Sequence, residues 1–548
     1  MSTEMLMAVI AGVLIIVLAN TLSKWIGVAG PLILVAIGLG ISLIPAVSAI
    51  AISPQIILVG VLPPLLYSAA VSAPAIEFRR DLAAIGGLSV LLVIISSLVL
   101  GLVFFLVMPE IGFPLAVALG AILSPTDAVA TSVVRRLGVP RRVVTVLEGE
   151  SLLNDATALV VLRTALVAVA AGFSFLTTLA SFVWSVLAAL LVGAVIGMIA
   201  LRLRAWVSSS TANTAIGLTV PYLAYLPTEA LGGSGLVAAV VAGLVCGQGA
   251  LRWLTPEQRV SDKLNWQTIE FLLEGAIFLT MGLELYGIVQ SNVDAGERLL
   301  RGLGLATLAF VVLMVIRAVY VIPMLSLQSA HAKKVAREQI DGGRNRSERH
   351  VRKKRADLDY FDASPLTWRH NTIIIWAGMR GAVTLAAAQT LPEDTPQRDL
   401  LVFIAFVVAA GSLMLQGLTL PVLARVLGLR RAGADGPPRE EVRQIDRELR
   451  KAAHEASRHH ALVGKDAQPF SDEMYALPRA WIFTPPDLPE GVDAADALDF
   501  ELAQIGVMRT RLHELGRSGR HTTSALRYVL AELDAYEISI ELRRESEE

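Results

Sequence analysis

Histidine is missing from the first 330 residues, and cysteine is nearly missing from all 548: the eight histidines begin at His331 and the one cysteine is Cys246. A single thiol excludes an intramolecular disulfide, and no Cys/His cluster offers a structural metal site. Proton carriage by imidazole is likewise excluded from the apolar part of the chain. Charge is also scarce, 17% against about 25% in ordinary soluble domains, while 54% of residues are hydrophobic. No GxxxxGK[ST] loop occurs, so nothing points to ATP. The first apolar segment has neither a basic leader nor a small-residue cleavage site, and reads as a retained helix.

What is present is a series of continuous apolar runs of about 20 residues before residue 430, the length that crosses a bilayer as a helix; barrel strands would alternate over about 10. The expected fold is all-α and polytopic. Thirteen spans are predicted near 5–27, 30–46, 55–72, 82–108, 114–137, 143–171, 176–201, 211–226, 231–250, 265–290, 300–326, 371–391 and 399–428. With the N-terminus outside, inner loops hold Lys24, Arg79, Arg80, Arg135, Arg136, Arg141, Arg142, Arg202, Arg204, Arg252, Arg259 and Lys263. Outer loops hold only Arg298, Arg301 and Arg398. That asymmetry fixes the expected orientation, with the C-terminal tail cytoplasmic.

The stretch LEGESLLNDATALVV, Leu147 to Val161, places Glu148, Glu150, Ser151, Asn154 and Asp155 inside one span. An ionised group there costs roughly 2.5 kcal/mol or more, so intramembrane carboxylates mark function by default. At 100° per residue Glu148, Ser151 and Asp155 share one face, and Glu150 and Asn154 the adjacent one. The ordinary alternative is a hydrogen-bond network between packed helices. Two other spans look interrupted. AILSPTDAVATS puts Pro125 in mid-span beside Ser124, Thr126 and Asp127, and GMRGAVT sets Arg380 between Gly378 and Gly381. Interruptions in spans five and twelve suit a pair of repeats around a midplane site, against the plainer reading of a Pro kink and a Gly-packed contact. Arg380 needs a counter-charge, for which Glu150 is the natural candidate. Arg317 is a second buried base, with Glu270 and Glu274, four apart on one face, as candidate partners.

The stretch from Ser326 to His370 is rich in Lys and Arg and reads as a loop that fixes orientation and touches anionic headgroups; nucleic acid is not an expected partner. GGRNRSE within it reads as flexible. The expected division is a membrane domain, 1–430, and a partly helical cytoplasmic tail, 431–548, that regulates it. After the linker GADGPP, helices are expected over Arg439–Leu462 (Val442, Ile445, Leu449) and Ser524–Leu542 (Leu526, Leu530, Leu533).

These motifs together resemble the sodium/proton exchanger family, in its bacterial NhaP-type branch. The matching pieces are PPLLYSAA, SPTDAVA, GESLLNDATALV, GGSGLVAAVVAGLVCG, FLLEGAIFLTMGLEL and GMRGAVTLAAA, in family order up to about residue 428. The resemblance implies a homodimer with inverted repeats, in which two broken helices cross near the acidic helix and a core moves against a dimerisation part. It implies that Asp155 binds Na⁺ or a proton, that Asp127, Asn154, Ser151 and Thr126 shape the ligand set, with Asp155 and Asp127 as the carboxylate ligands of Na⁺, and that Glu150 and Arg380 form a structural ion pair. Members with Asn-Asp are expected to be electroneutral. The chain departs from many relatives at Ser68, where they carry an acid, and at Ala128, where they carry proline.

The expected activity is exchange of Na⁺ (or Li⁺ or K⁺) for H⁺ by alternating access in the cell membrane, serving pH homeostasis, with no cofactor and no enzymatic step. A K⁺-selective antiporter is the alternative. A carboxyl out of water holds its proton, a hard cation beside it favours the carboxylate, and the two compete. An ion channel and an intramembrane hydrolase are the remote alternatives; for the latter, Ser234 in GGSG has no membrane-embedded histidine as base.

Overall fold

The structure is a computed structural model and describes residues 3–26, 28–44, 54–171, 175–294, 299–341, 348–363, 365–429, 439–464, 468–475 and 494–547. Among them the only β-pairing is an isolated bridge between Val463 and Pro469. The first helices are α1 (Thr3–Ile26), α2 (Gly30–Ser42), α3 (Leu62–Ser72, entered through a π-helical turn, Ile56–Val61), α4 (Ala75–Arg80) and α5 (Leu82–Gly86). A second π turn, Gly87–Leu91, joins α5 to α6 (Leu92–Val107). There follow α7 (Phe113–Leu123), α8 (Ala128–Arg136), α9 (Arg141–Ala171), α10 (Phe175–Trp206), α11 (Ser210–Ala230), α12 (Gly235–Trp253), α13 (Pro256–Leu283) and α14 (Leu285–Asp294). Then come α15 (Leu299–Asp341), α16 (Glu348–Ala363), α17 (Trp368–Trp376), α18 (Ala382–Gln389) and α19 (Arg398–Val426). Four more, α20 (Arg439–Arg458), α21 (Asp472–Tyr475), α22 (Ala494–Ser518) and α23 (Thr523–Glu547), form the tail.

Eight helices among the described residues are long and apolar enough to cross a membrane, and three shorter apolar ones accompany them. The chain is a multi-pass membrane protein. Every expected span coincides with a helix or an interrupted helix, but broken and short helices fall below the length that a full crossing needs. Apolar side chains left bare follow the same logic: Leu6, Ile10, Leu14, Val17 and Leu18 on α1 are exposed, a surface suited to hydrocarbon rather than water. Small residues bring helices together where side chains leave no room. A Cβ on Gly38 would meet the α13 backbone at Leu279 O and one on Gly282 would meet Val35 O, while Gly120 lies against Ser97 O of α6.

Two expectations change. The basic stretch after Ser326 is largely helical, because α15 runs on to Asp341 and α16 follows; GGRNRSE falls mainly outside the described residues, as does the linker before α20. The tail helices pack on each other and on α22, which the sequence reading passed over. Ile445 and Leu449 of α20, Leu512 and Leu515 of α22, and Leu526, Val529 and Leu530 of α23 share one apolar core.

Candidate ion-binding site

Pro125 lacks an amide hydrogen, and the helix of which it would be part stops at Leu123 and resumes at Ala128. At the second interruption the chain leaves α17 at Trp376 and re-enters helix at Ala382, with Gly381 in an extended conformation (φ −121°, ψ −168°). The two breaks meet. Asp127 N donates to Met379 O at 2.7 Å, so each irregular segment satisfies the other's backbone, as a non-aqueous setting demands.

Charge is placed on this crossing by sign. Asp127 is the N-cap of α8, its Oδ1 accepting from Val129 N at 3.0 Å. Its other oxygen lies where a Cβ on Gly381, the N-cap of α18, would overlap it. One carboxylate therefore stands at the N-terminal ends of two half-helices, where partial positive charge collects. Arg380 does the converse. Its Nε donates to Leu123 O, the last carbonyl of α7, at 3.1 Å, and its Nη1 to Gly378 O just past α17, while its own N–H is taken by Ser412 Oγ at 2.9 Å.

The expected Glu150–Arg380 pair is thus corrected. Glu150 pairs with Arg317, which donates to both carboxylate oxygens, Nη2 to Oε2 at 2.8 Å. The same guanidinium donates to Ile374 O from Nε at 3.1 Å and Nη2 at 2.9 Å. Gly378 makes room for it, since a Cβ there would stand 2.7 Å from Arg317 Nε. Arg380 needs no carboxylate, because carbonyls at the ends of two half-helices supply its negative partners. Arg317 accordingly does not pair with Glu270 or Glu274.

Asn154 and Thr126 extend the Glu150 network. Asn154 Nδ2 donates to Thr126 Oγ1 at 2.6 Å and Thr126 O at 3.0 Å, and Thr126 Oγ1 donates to Glu150 Oε1 at 3.2 Å. Asn154 Oδ1 is buried and has no partner among the described residues. Ser151 turns to its own helix, donating to Glu148 O at 3.4 Å. Asp155 is different in kind: half-buried on α9, it takes no hydrogen bond or ion pair among the described residues, and the charge it feels is that of Asp127. Glu274 on α13 feels Asp127 and Glu270, and Glu270 Oε2 accepts from Ser68 Oγ at 3.1 Å. The Ser68 position is thus supplied with a carboxylate from α13.

Sequence reasoning missed a buried hydroxyl and several ion pairs. Thr384 Oγ1 has no partner among the described residues and lies one turn beyond Gly381 on the same helical face; the run VTLAA gave only that phase as a signal. Arg204, 1% exposed in its side chain, pairs with Asp262 at 2.8 Å and donates to Asn213 Oδ1 at 2.8 Å. Arg163 pairs with Glu229 at 2.8 Å. Ser234 caps α12, accepting from Val237 N at 3.4 Å, a structural duty.

The family of transmembrane sodium/hydrogen exchangers matches this chain over residues 11–426, which take in both breaks and α9. The chain belongs to the sodium/hydrogen exchanger family. Its members are transporters, not enzymes, and exchange cations for protons, so alkali cations and protons are the substrates and no cofactor is used. An uncharacterised Na⁺/H⁺ exchanger of Escherichia coli is 32% identical over 68% of this chain and 67% of its own length. A sodium, potassium, lithium and rubidium/H⁺ antiporter of Bacillus pumilus is 27% identical over 77% of this chain and 61% of its own. The structure of the sodium/proton antiporter MjNhaP1 of Methanocaldococcus jannaschii covers 78% of this chain and all of its own, with TM-score 0.58 and 18% identity, a likeness of fold.

Proposed function

We propose that this exchanger carries Na⁺ or H⁺ alternately on Asp155, assisted by Asp127, and moves one for the other by alternating access. The observation that carries the reading is the contrast on α9. Glu150 is neutralised by Arg317, whereas Asp155, five residues on, takes no ion pair among the described residues and feels the charge of Asp127. Such a site attracts a hard cation, for which oxygen ligands are apt. Asn154 Oδ1 is a free neutral oxygen beside it; Ser151 and Thr126 shape its walls.

One carboxylate that holds either a proton or a monovalent cation carries the same charge both ways, so the exchange is electroneutral. Thirteen crossings, with the N-terminus outside and the tail cytoplasmic, agree with the run of Arg and Lys at one face, where the tail also docks. The membrane domain ends with α19, the tail is regulatory, and the protein acts as a homodimer in the cell membrane, maintaining internal pH. A K⁺-accepting variant of this reading is favoured by the breadth of cations in the Bacillus pumilus relative's name.

Proteoliposomes loaded with a pH dye test this cation by cation. Na⁺ and Li⁺ gradients are applied with and without valinomycin, K⁺ being equal on both sides to clamp the potential, and a K⁺ gradient is applied in separate vesicles without valinomycin. Proton movement that is cation-driven and indifferent to the clamp is the expected result; a rate set by potential contradicts electroneutrality.

A further inference from the structure

The tail does not hang from the membrane part but grips it at two places. Thr523, at the start of α23, donates to both oxygens of Glu77 on α4, from N to Oε1 at 2.8 Å and from Oγ1 to Oε2 at 2.5 Å. Arg80, also on α4, donates from Nη2 to Gly519 O at 2.5 Å, and Arg141 of α9 to Ser524. One turn along, Arg527 reaches the frayed end of α3, donating to Ser72 O at 2.6 Å, Ala73 O at 3.0 Å and Val71 O at 3.3 Å. Its charge suits the negative end of that helix. Two turns further, Asp534 takes Arg259 of α13 in a two-pronged pair, Nε to Oδ2 at 2.9 Å, and holds Arg509 of α22 at 3.1 Å.

The grips fall on helices that carry the site's residues or are bound to them. Arg141 begins α9, the helix of Asn154 and Asp155. Helix α4 is bound to α9 through Asp81, which accepts from Arg142 Nη2 at 2.9 Å and from Tyr360 at 2.8 Å. Arg259 opens α13, which carries Glu270 and Glu274, and α3 carries Ser68. So α23 is a strut from the α4–α9 side to the α3–α13 side. Its two carboxylate anchors are buried: Glu77 is 7% exposed, Asp534 3%. Buried charge pairs resist separation far more than exposed ones, since breaking one strands its partner.

We propose that the docked tail is a brake: α23 ties α9 to α3 and α13 at this face and slows their relative movement during exchange. The inference rests on the alternating-access reading above and adds its regulator. Any step that changes the spacing of α9 from α13 must stretch or release a grip, and loosening a grip must therefore speed turnover.

The test uses the full-length chain in proteoliposomes with Na⁺ as the probe, comparing Arg527→Gln, Asp534→Arg, Arg259→Asp and the Arg259→Asp/Asp534→Arg exchange. Each single variant is expected to raise the initial rate about threefold or more, roughly half of the 1.4 kcal/mol that a tenfold change represents, and the charge-exchanged pair to return toward wild type. Rates unchanged or lower in variants that elute and melt as folded protein overturn the brake. Hydrogen exchange on the same proteins reads the strut without transport. Faster amide exchange at 71–77 and 141–144 in Arg527→Gln supports it, and unaltered exchange at both overturns it. Wild-type protein that moves no protons on Na⁺ addition refutes the exchange reading instead, leaving the amide data to decide the strut.

Discussion

Two carboxylates five residues apart on α9 live under opposite rules. Glu150 is 1% exposed, doubly bonded to Arg317 and braced by Thr126; Asp155 is half-buried and faces Asp127 with no partner among the described residues. The first holds the helices around the break in register. The second is left with an unmet demand for positive charge. An acid that is already neutralised cannot exchange ions, and an acid that must exchange ions cannot be permanently neutralised.

Breaking the Glu150 side has the largest expected effect on the fold. Arg317→Ala strands a buried carboxylate, and removal of one partner of such a pair costs about 3–5 kcal/mol; little folded protein should survive extraction, as read by size-exclusion yield. Joint replacement with Glu150→Gln should recover part of the yield. If Arg317→Ala alone extracts normally, the pair does not hold the break. Arg380→Ala removes donors from Leu123 O and Gly378 O but strands no carboxylate. Its cost should be smaller, about 1–3 kcal/mol for the buried groups left unmet, seen as a lowered melting temperature with measurable exchange remaining.

The smallest expected effect lies in the tail. Glu441 accepts from Thr522 N at 2.5 Å and from Thr522 Oγ1 at 2.8 Å beside the α22–α23 turn. Burial opposes its charge, but hydrogen bonds from His521 and Thr522 outweigh that and hold the carboxyl below its usual range. A depressed folded value means that the contribution is complete above the unfolded value of about 4.3 and is lost as pH falls through the folded one. Glu441→Gln should cost about 1 kcal/mol at neutral pH and nothing in acid, measured as amide exchange at 519–526. An equal effect at both pH values contradicts this.

Much of this was legible in the sequence because it is local. Pro125 and the Gly378–Gly381 frame stop helices wherever they sit, and carboxylates in a 31-residue apolar helix announce a site. Pairings were not legible, since they depend on which helices meet. Arg380 was assigned to Glu150 by counting side-chain charges alone; the carbonyls at the ends of α7 and α17 are equally good partners, and they exist only once the breaks are built. The tail core was half legible: Leu498, Leu502, Ile505, Met508, Leu512 and Leu515 carry the helical spacing of α22, but its docking joins residues 275 positions apart on α13 and 446 to 456 apart on α4 and α3.

The central claim is that Asp155 holds a proton and a cation in turn. Purified protein in weakly buffered detergent solution, titrated with NaCl while released protons are counted, tests it most directly. Wild type should release about one proton per chain as Na⁺ binds, the one-for-one exchange that competition for a single carboxylate requires, and Asp155→Asn, eluting and melting as folded protein, should release none. Undiminished proton release from Asp155→Asn would contradict the account.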